Sequence, residues 1–186
     1  TRERYVSRAG LKLAGVADSF RLDFQGKTVL DIGSSTGGFT DFALRHGARR
    51  VYAVDVGTNQ LHHRLRDDRR IILHEKTDIR DFELDCPPDI IVGDVSFISL
   101  RDILPHVAKR LMGSTTVLVA MVKPQFEAGR HLVQKGVVKN AAIRRKILTD
   151  FEQWAKQYFV VLDKKDSTVA GSKGNVERFY KLQLKK

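Results

Sequence analysis

Five charged residues lie at or near the ends of apolar runs, where side chains can meet a ligand. Asp31 sits inside Thr28-Val-Leu-Asp-Ile32, and Asp55 follows Val51-Tyr-Ala-Val54. Asp78 trails Ile71-Ile-Leu73, Asp94 trails Ile90-Ile-Val92, and Lys123 closes Thr116–Val122. The first run leads straight into Gly33-Ser-Ser-Thr-Gly-Gly38. Glycines at a strand-to-helix turn let the backbone bend sharply and approach a ligand closely. The spacing G-x-x-x-G-G departs from the dinucleotide fingerprint, because Ser35 stands where its second glycine belongs. Asp55 can accept hydrogen bonds from both hydroxyls of an adenosine ribose, or serve as a solvated strand-end acid. Asp78 can hold an adenine amino group while Ile79 packs on the ring; the alternative is an ordinary turn residue. Lys123 is unusual, since burying an ammonium without a partner is costly. It is either a site residue or a surface lysine paired with an acid. Three acids in succession after a glycine turn define one crevice at a sheet edge.

The elements that must position these residues follow from periodicity. Seven short apolar runs read as strands: the five above, then Phe159–Leu162 and Phe179–Leu184. Helical patterns occupy Ser7–Val16, Gly38–His46, Gln60–Leu65, Leu100–Leu111 and Ala141–Gln157, the last with Asn140 as N-cap. Alternating strands and helices predict an α/β fold, a mostly parallel sheet with helices on both faces. The last two strands are joined by about 16 residues without a helical pattern, which fits an antiparallel final strand. No linker or repeat divides the chain, so residues 1–186 are expected to form one domain, with residues 1–27 as an N-terminal helical segment.

Charge is distributed unevenly. Residues 1–27 carry six Lys/Arg against three Asp/Glu, residues 28–122 twelve against thirteen, and residues 123–186 fifteen against six. The basic excess lies outside the glycine turn and the acids that follow it, and such surfaces attract phosphate backbones. No apolar run approaches the roughly 18 residues needed to span a bilayer, and residues 1–6 have no signal-peptide core. The single cysteine, Cys86, excludes an internal disulfide and any multi-cysteine metal site. A reducing, cytoplasmic compartment is expected. The histidines, with only His62 and His63 adjacent, give no ligand spacing, so no metal is expected.

Five segments together resemble the FtsJ-like ribose 2′-O-methyltransferases, and within them the TlyA (hemolysin A) group. They are Ser7-Arg-Ala-Gly-Leu-Lys-Leu13, Asp31-Ile-Gly-Ser-Ser-Thr-Gly-Gly-Phe-Thr40, Gly93-Asp-Val-Ser-Phe97, Val122-Lys-Pro-Gln-Phe-Glu127 and Gly174-Asn-Val-Glu177. The resemblance spans nearly the whole chain in the family's order. It implies a Rossmann-like class I S-adenosylmethionine-dependent methyltransferase acting on ribosomal RNA, on a cytidine ribose. The family's Lys-Asp-Lys-Glu tetrad falls on Lys12, Asp94, Lys123 and Glu177. Cofactor contacts are implied for Asp31, Gly33, Ser35, Thr36, Gly37, Gly38, Phe39, Asp55, Val56, Asp78, Ile79 and Asp94. The TlyA group carries an S4-type RNA-binding domain ahead of the methyltransferase, and this chain has no room for one before Arg8; it is expected to be absent or removed.

A ribose hydroxyl is a poor nucleophile, so the protein must align an in-line attack and accept one proton. Lys123 is the candidate base, oriented by Asp94, with Lys12 and Glu177 positioning the ribose and balancing charge. Making a lysine neutral at pH 7 from a reference pKa of about 10.4 costs roughly 4.6 kcal/mol. RNA contacts are expected from Arg8, Arg130, Lys135, Lys139 and Lys173. Residues 125–139 read as either a mobile basic loop that closes over RNA or a long solvated loop. Three rival functions remain: a small-molecule methyltransferase, a non-catalytic RNA-binding or ribosome-assembly module, and a nicotinamide-dependent dehydrogenase. The basic skew, the filled tetrad and the absent G-x-G-x-x-G count against them in turn.

Overall fold

The computed structural model describes residues 4–138 and 140–186. Seven strands form one sheet: β1 Thr28–Ile32, β2 Arg50–Val54, β3 Ile71–His74, β4 Ile90–Gly93, β5 Val117–Val122, β6 Phe159–Asp166 and β7 Arg178–Leu184. Their order is β3-β2-β1-β4-β5-β7-β6, parallel from β3 through β5, with β7 antiparallel to both neighbours. The chain leaves β1 toward β2 and β3 and resumes on the other side at β4. The β1/β4 boundary is therefore the switch point, and its carboxyl edge is where α/β sheets take ligands.

Both sheet faces are covered, as near-continuous apolar strands require. Helices α1 (Arg8–Ala17) and α2 (Gly38–Arg45) cover one face, burying Leu13, Val16, Phe39 and Phe42 against Val29, Val92, Met121 and Phe179. Helices α3 (Leu100–His106) and α5 (Ala141–Ala155) cover the other, with Ile103, Leu104, Leu148 and Phe151 against Leu30, Ile91, Leu118 and Tyr180. Asn140 caps α5, accepting from the amides of Ala142 and Ile143 at 2.8 and 3.2 Å. A four-residue helix, α4 (Pro124–Glu127), turns the chain away after β5.

Three elements differ from expectation. The helix expected over residues 60–65 is only a 3₁₀ turn, His63–Leu65. Asn59 is left-handed at φ 56°, and Leu61 and Leu65 turn inward to join Val6 in a small separate cluster. The helix expected over residues 100–111 is α-helical only to His106, then widens into a π turn over Val107–Leu111. Pro105 lies inside it and lacks the amide that the α ladder needs. Strand β6 runs four residues beyond the expected Leu162, with a bulge between Val161 and Asp163. Among the described residues no helix is long and apolar enough to cross a membrane.

Candidate active site

Strand register gathers the charged residues at one edge. Ile32 pairs with Gly93, Gly93 with Ala120, and Val122 with Arg178. Asp94, Lys123 and Glu177 each lie one residue beyond those pairs, on the carboxyl side of β4 and β5 and the amino side of the reversed β7. The antiparallel last strand thus delivers Glu177 to the edge that the parallel strands share. Lys12 arrives from the opposite end of the chain, on α1. Gly10 makes this possible: a methyl group there would meet Tyr5 Cβ at 2.6 Å. A methyl group at Gly38 would collide with Ser7, so the N-termini of α1 and α2 touch through their glycines. The amide of Val6 donates to buried Asp41 on α2 at 2.9 Å, fixing the same junction.

Two ion pairs result. Lys12 Nζ lies 2.8 Å from Glu177 Oε2, with both side chains almost fully buried, an ionic contact rather than an aligned hydrogen bond. Lys123 Nζ lies 2.5 Å from Asp94 Oδ1 and donates to Ser96 Oγ at 2.8 Å. The four expected tetrad residues therefore form two acid–lysine couples on one edge. Lys12 finds its acid 165 positions away along the chain, and Lys123 finds its own 29 positions back.

Two adjoining cavities open beside them. One, of about 400 Å³, is lined by Gly33, Ser35, Asp55, Val56, Asp78, Ile79, Asp94 and the segment Val95–Ile98. The other, of about 430 Å³, is lined by Arg8, Lys12, Asp31, Ser34, Thr36, Gly38, Phe39 and Asp94. Gly33, Ser35 and Asp94 border both. Every expected cofactor residue except Gly37 lines one cavity or the other. Gly37 acts by conformation: its φ is 97°, and a methyl group would meet Leu65 Cδ1 at 2.6 Å. Gly33, at φ 73°, leaves space for the carbonyl of Asp94, which any side chain would strike.

The acids differ in their readiness for a ligand. Asp55 Oδ2 accepts from the Ser35 amide at 2.8 Å and Oδ1 from the Gly57 amide at 2.7 Å. An ionised carboxylate has about four lone-pair sites, so each oxygen retains one for a hydroxyl. Asp78 is more occupied. Arg80 grips both of its oxygens, at 3.0 Å through Nε and 2.7 Å through Nη2, and holds the carboxyl down at about 2. Asp31 is fully buried. Burial pushes its carboxyl up to about 7 against the lowering hydrogen bond from Thr40 Oγ1, with the charge of Asp94 raising it further. Its Oδ1 has no partner, and neither has the buried Oγ of Ser34 beside it. Orphaned buried polar atoms on a cavity wall call for a polar ligand group.

Several contributors carry no periodic signal. Thr40 and Ser96 lie inside the motifs, and only their contacts with Asp31 and Lys123 reveal what they do. Glu127 is largely buried. Its Oε2 accepts from Ser99 Oγ at 2.6 Å and its Oε1 from the Leu100 amide at 2.7 Å. Burial raises its carboxyl while those two bonds lower it. It ties the turn carrying Lys123 to the start of α3, just beyond Asp94 and Ser96. Phe97 is 90% exposed at φ 65° and lies 5.1 Å, ring to ring, from Phe126. Of the expected RNA contacts, Arg8, Arg130, Lys135 and Lys173 are exposed. Arg8 borders the second cavity and donates to the carbonyl of Ala170. Lys139 lies outside the described residues. Among the described residues no group of three or more His, Cys, Asp or Glu side chains is placed to hold a metal.

Residues 5–184 match the family model described as FtsJ-like methyltransferase. Hemolysin A of Brachyspira hyodysenteriae is 42% identical over 180 residues, covering 94% of this chain and 75% of that protein. The 23S rRNA (cytidine-2′-O)-methyltransferase TlyA of Campylobacter jejuni is 41% identical, covering 96% of this chain and 70% of that one. A solved hemolysin-type chain from Streptococcus thermophilus superposes with a TM-score of 0.92 at 43% identity, covering 99% of this chain and 68% of that one.

Proposed function

Because this chain belongs to the FtsJ-like methyltransferase family, we propose that it transfers a methyl group from S-adenosylmethionine to a ribose 2′-hydroxyl of ribosomal RNA, on a cytidine. The observation that carries the reading is the pair of couples, Lys12–Glu177 and Lys123–Asp94, at the mouth of two cavities that share Gly33, Ser35 and Asp94. The names of the Campylobacter and Mycobacterium tuberculosis relatives, both rRNA (cytidine-2′-O)-methyltransferases, support the substrate class.

The residues present fit the cofactor. Asp55 would take the ribose hydroxyls of its adenosine, with Ile79 and Val56 flanking the base. The unpartnered Asp31 Oδ1 suits its ammonium group, and the amide-rich turn at Thr36–Gly38 opens α2 toward its carboxylate. Bound there, S-adenosylmethionine supplies a methyl group already activated on a sulfonium. The protein has no leaving group to activate and needs only to align the acceptor and receive its proton. Lys123 is the proton acceptor. Asp94 and Ser96 hold its Nζ from two sides, which fixes the direction of its lone pair once the proton has left. Lys12, neutralised by Glu177, orients the ribose without adding net charge. Phe97 offers an exposed ring beside the cavity, on which an unstacked base can lie. Asp78 contributes mainly through Arg80, which occupies its carboxylate.

Incubating the protein with labelled S-adenosylmethionine and purified ribosomal subunits, then mapping the labelled nucleotide, tests this. Label on a cytidine 2′-oxygen is expected. Label on a base, or only on a small molecule, overturns the reading.

A further inference from the structure

Two tight turns face each other beside the acceptor side of the site. Gln134-Lys-Gly-Val137 is closed by reciprocal backbone hydrogen bonds of 3.0 and 2.9 Å, with Lys135 at φ 51° and Gly136 at φ 81°. Ser172-Lys-Gly-Asn175 has the same composition at its centre, with Lys173 at φ 56° and Gly174 at φ 80°. Positive φ at both central residues is the type I′ geometry, which a lysine adopts only when its surroundings hold it there.

Asn175 supplies the hold. It is 4% exposed, and its side chain bonds in three directions. Nδ2 donates to the carbonyls of Gly136 and Ser172, each at 2.9 Å, and Oδ1 accepts from the Val138 amide at 3.2 Å. Its own carbonyl accepts from the Gly171 amide at 2.8 Å. Lys173 completes the junction from above, with Nζ donating to the Lys135 carbonyl at 2.8 Å across the bare face of Gly136. Two residues beyond Asn175 stands Glu177, whose carboxylate packs on Gly171 so closely that no side chain fits there.

We propose that Asn175 is a positioning residue that joins the basic loop over residues 129–138 to the Glu177 strand entry, forming a pre-set clamp for the RNA backbone. This rests on the RNA methyltransferase reading above. The clamp makes one unit of two features that would otherwise move independently: the Lys135 and Lys173 turns, facing solvent, and the Glu177–Lys12 couple behind them. A free loop would have to be ordered by each incoming RNA, an entropic cost taken from binding. A latched loop is already ordered when the chain has folded. Asn175 touches no substrate in this scheme and acts through the loop it holds.

The test reads loop order and RNA dependence separately in the full chain. Asn175→Ala removes the latch; Gly136→Ala strains it from the other side, at a φ of 81° and against Lys173 Nζ, without removing a buried polar group or any charge. Hydrogen exchange at the amides of residues 134–138 should quicken in both. Single-turnover transfer to purified ribosomal subunits should then show half-saturation rising roughly tenfold for Asn175→Ala, and less for Gly136→Ala. The limiting rate should fall much less, and S-adenosylmethionine affinity by calorimetry should stay within about twofold. Faster exchange with unchanged half-saturation overturns the latch, and so does a loss confined to the limiting rate. Should Asn175→Ala fail to bind the cofactor or fold, Gly136→Ala alone decides between the same outcomes. A parent protein that methylates neither subunit overturns the methyltransferase reading; a parent that does, with variants that match it, overturns only the latch.

Discussion

The cofactor side and the acceptor side of this site are built by different means. The cofactor side is a local construction: strand, glycine turn, helix and three following strand ends, all within residues 28–98, which carry nine Lys/Arg against twelve Asp/Glu. The acceptor side is assembled from distant pieces. Lys12 meets Glu177 across 165 positions, Arg8 reaches Ala170 across 162, and the latch joins residues 136 and 175. The second side also carries the basic excess. A ligand common to many enzymes can be met by a motif that folds locally, whereas a particular RNA is met by surfaces that only the finished fold brings together.

If that division is real, substitutions should separate cleanly into chemistry, cofactor and RNA classes. The largest effect is expected from Lys123→Arg. Arginine keeps the positive charge and can pair with Asp94, but it stays protonated at every working pH and accepts no proton. Transfer should fall by about 10²–10⁴-fold while RNA and cofactor binding change little. Single-turnover rates settle it; a near-parent rate would show that Lys123 steers the hydroxyl without taking its proton.

Next in size is Asp55→Ala, which confines its damage to the cofactor side. Loss of charge-assisted hydrogen bonds worth about 1.5–3 kcal/mol each should weaken S-adenosylmethionine binding without altering RNA half-saturation. Because Asp55 also satisfies the amides of Ser35 and Gly57, Asp55→Asn is the control. It keeps an acceptor for one amide, and its affinity should fall between the other two. An Asp55→Ala protein with parent affinity would remove Asp55 from the ribose.

Legibility in the sequence followed the same division. Apolar runs bounded by turn residues placed all seven strands within a few residues, and Asn140 marked the start of α5, because these signals are local. The helix expected over residues 60–65 failed for a physical reason. Leu61 and Leu65 suit a helical face, but Asn59 is left-handed, the Leu65 amide bonds the carbonyl of His62 three residues back, and the Arg66 side chain takes the Leu61 carbonyl instead. Lys123 and Asp94 stood out at strand ends, but Lys12 and Glu177 were readable only through the resemblance to a family, since nothing in their types or spacing links them. Glu127, Ser96 and Asn175 were silent. Each acts through hydrogen bonds to residues far away in sequence or to backbone atoms, and neither leaves a periodic trace.

A smaller effect should appear on the RNA side. Removing one phosphate-binding cation lowers the slope of log affinity against log salt by about 0.7–0.9. Reversing both Arg130 and Lys135 should therefore flatten the slope by roughly 1.4–1.8 if both touch RNA. Cofactor affinity should not move. Filter binding to ribosomal RNA between low and moderate salt measures it, and an unchanged slope would place this loop away from the backbone.

The finest effect is a proton. Burial leaves the Asp31 carboxyl near 7, well above its unfolded value of 3.8, so the folded protein holds a proton that the unfolded chain has released. The sign follows: the group favours the folded state fully below pH 3.8, and this contribution is lost as pH rises toward 7. A cationic group placed against the unpartnered Oδ1 reverses the preference, since it stabilises the ionised form. Cofactor binding near a pH of about 6.5 should therefore expel part of a proton from Asp31, and affinity should rise between about pH 6 and 8 as that expulsion is no longer needed. Calorimetry in two buffers of different ionisation enthalpy measures the proton count directly. Asp31→Asn, which is similar in shape and cannot ionise, should abolish both the proton release and the pH dependence while keeping Thr40 as a hydrogen-bonding neighbour. Proton release that persists in Asp31→Asn would assign it to another group and would leave the orphaned oxygen without the ligand argued for it.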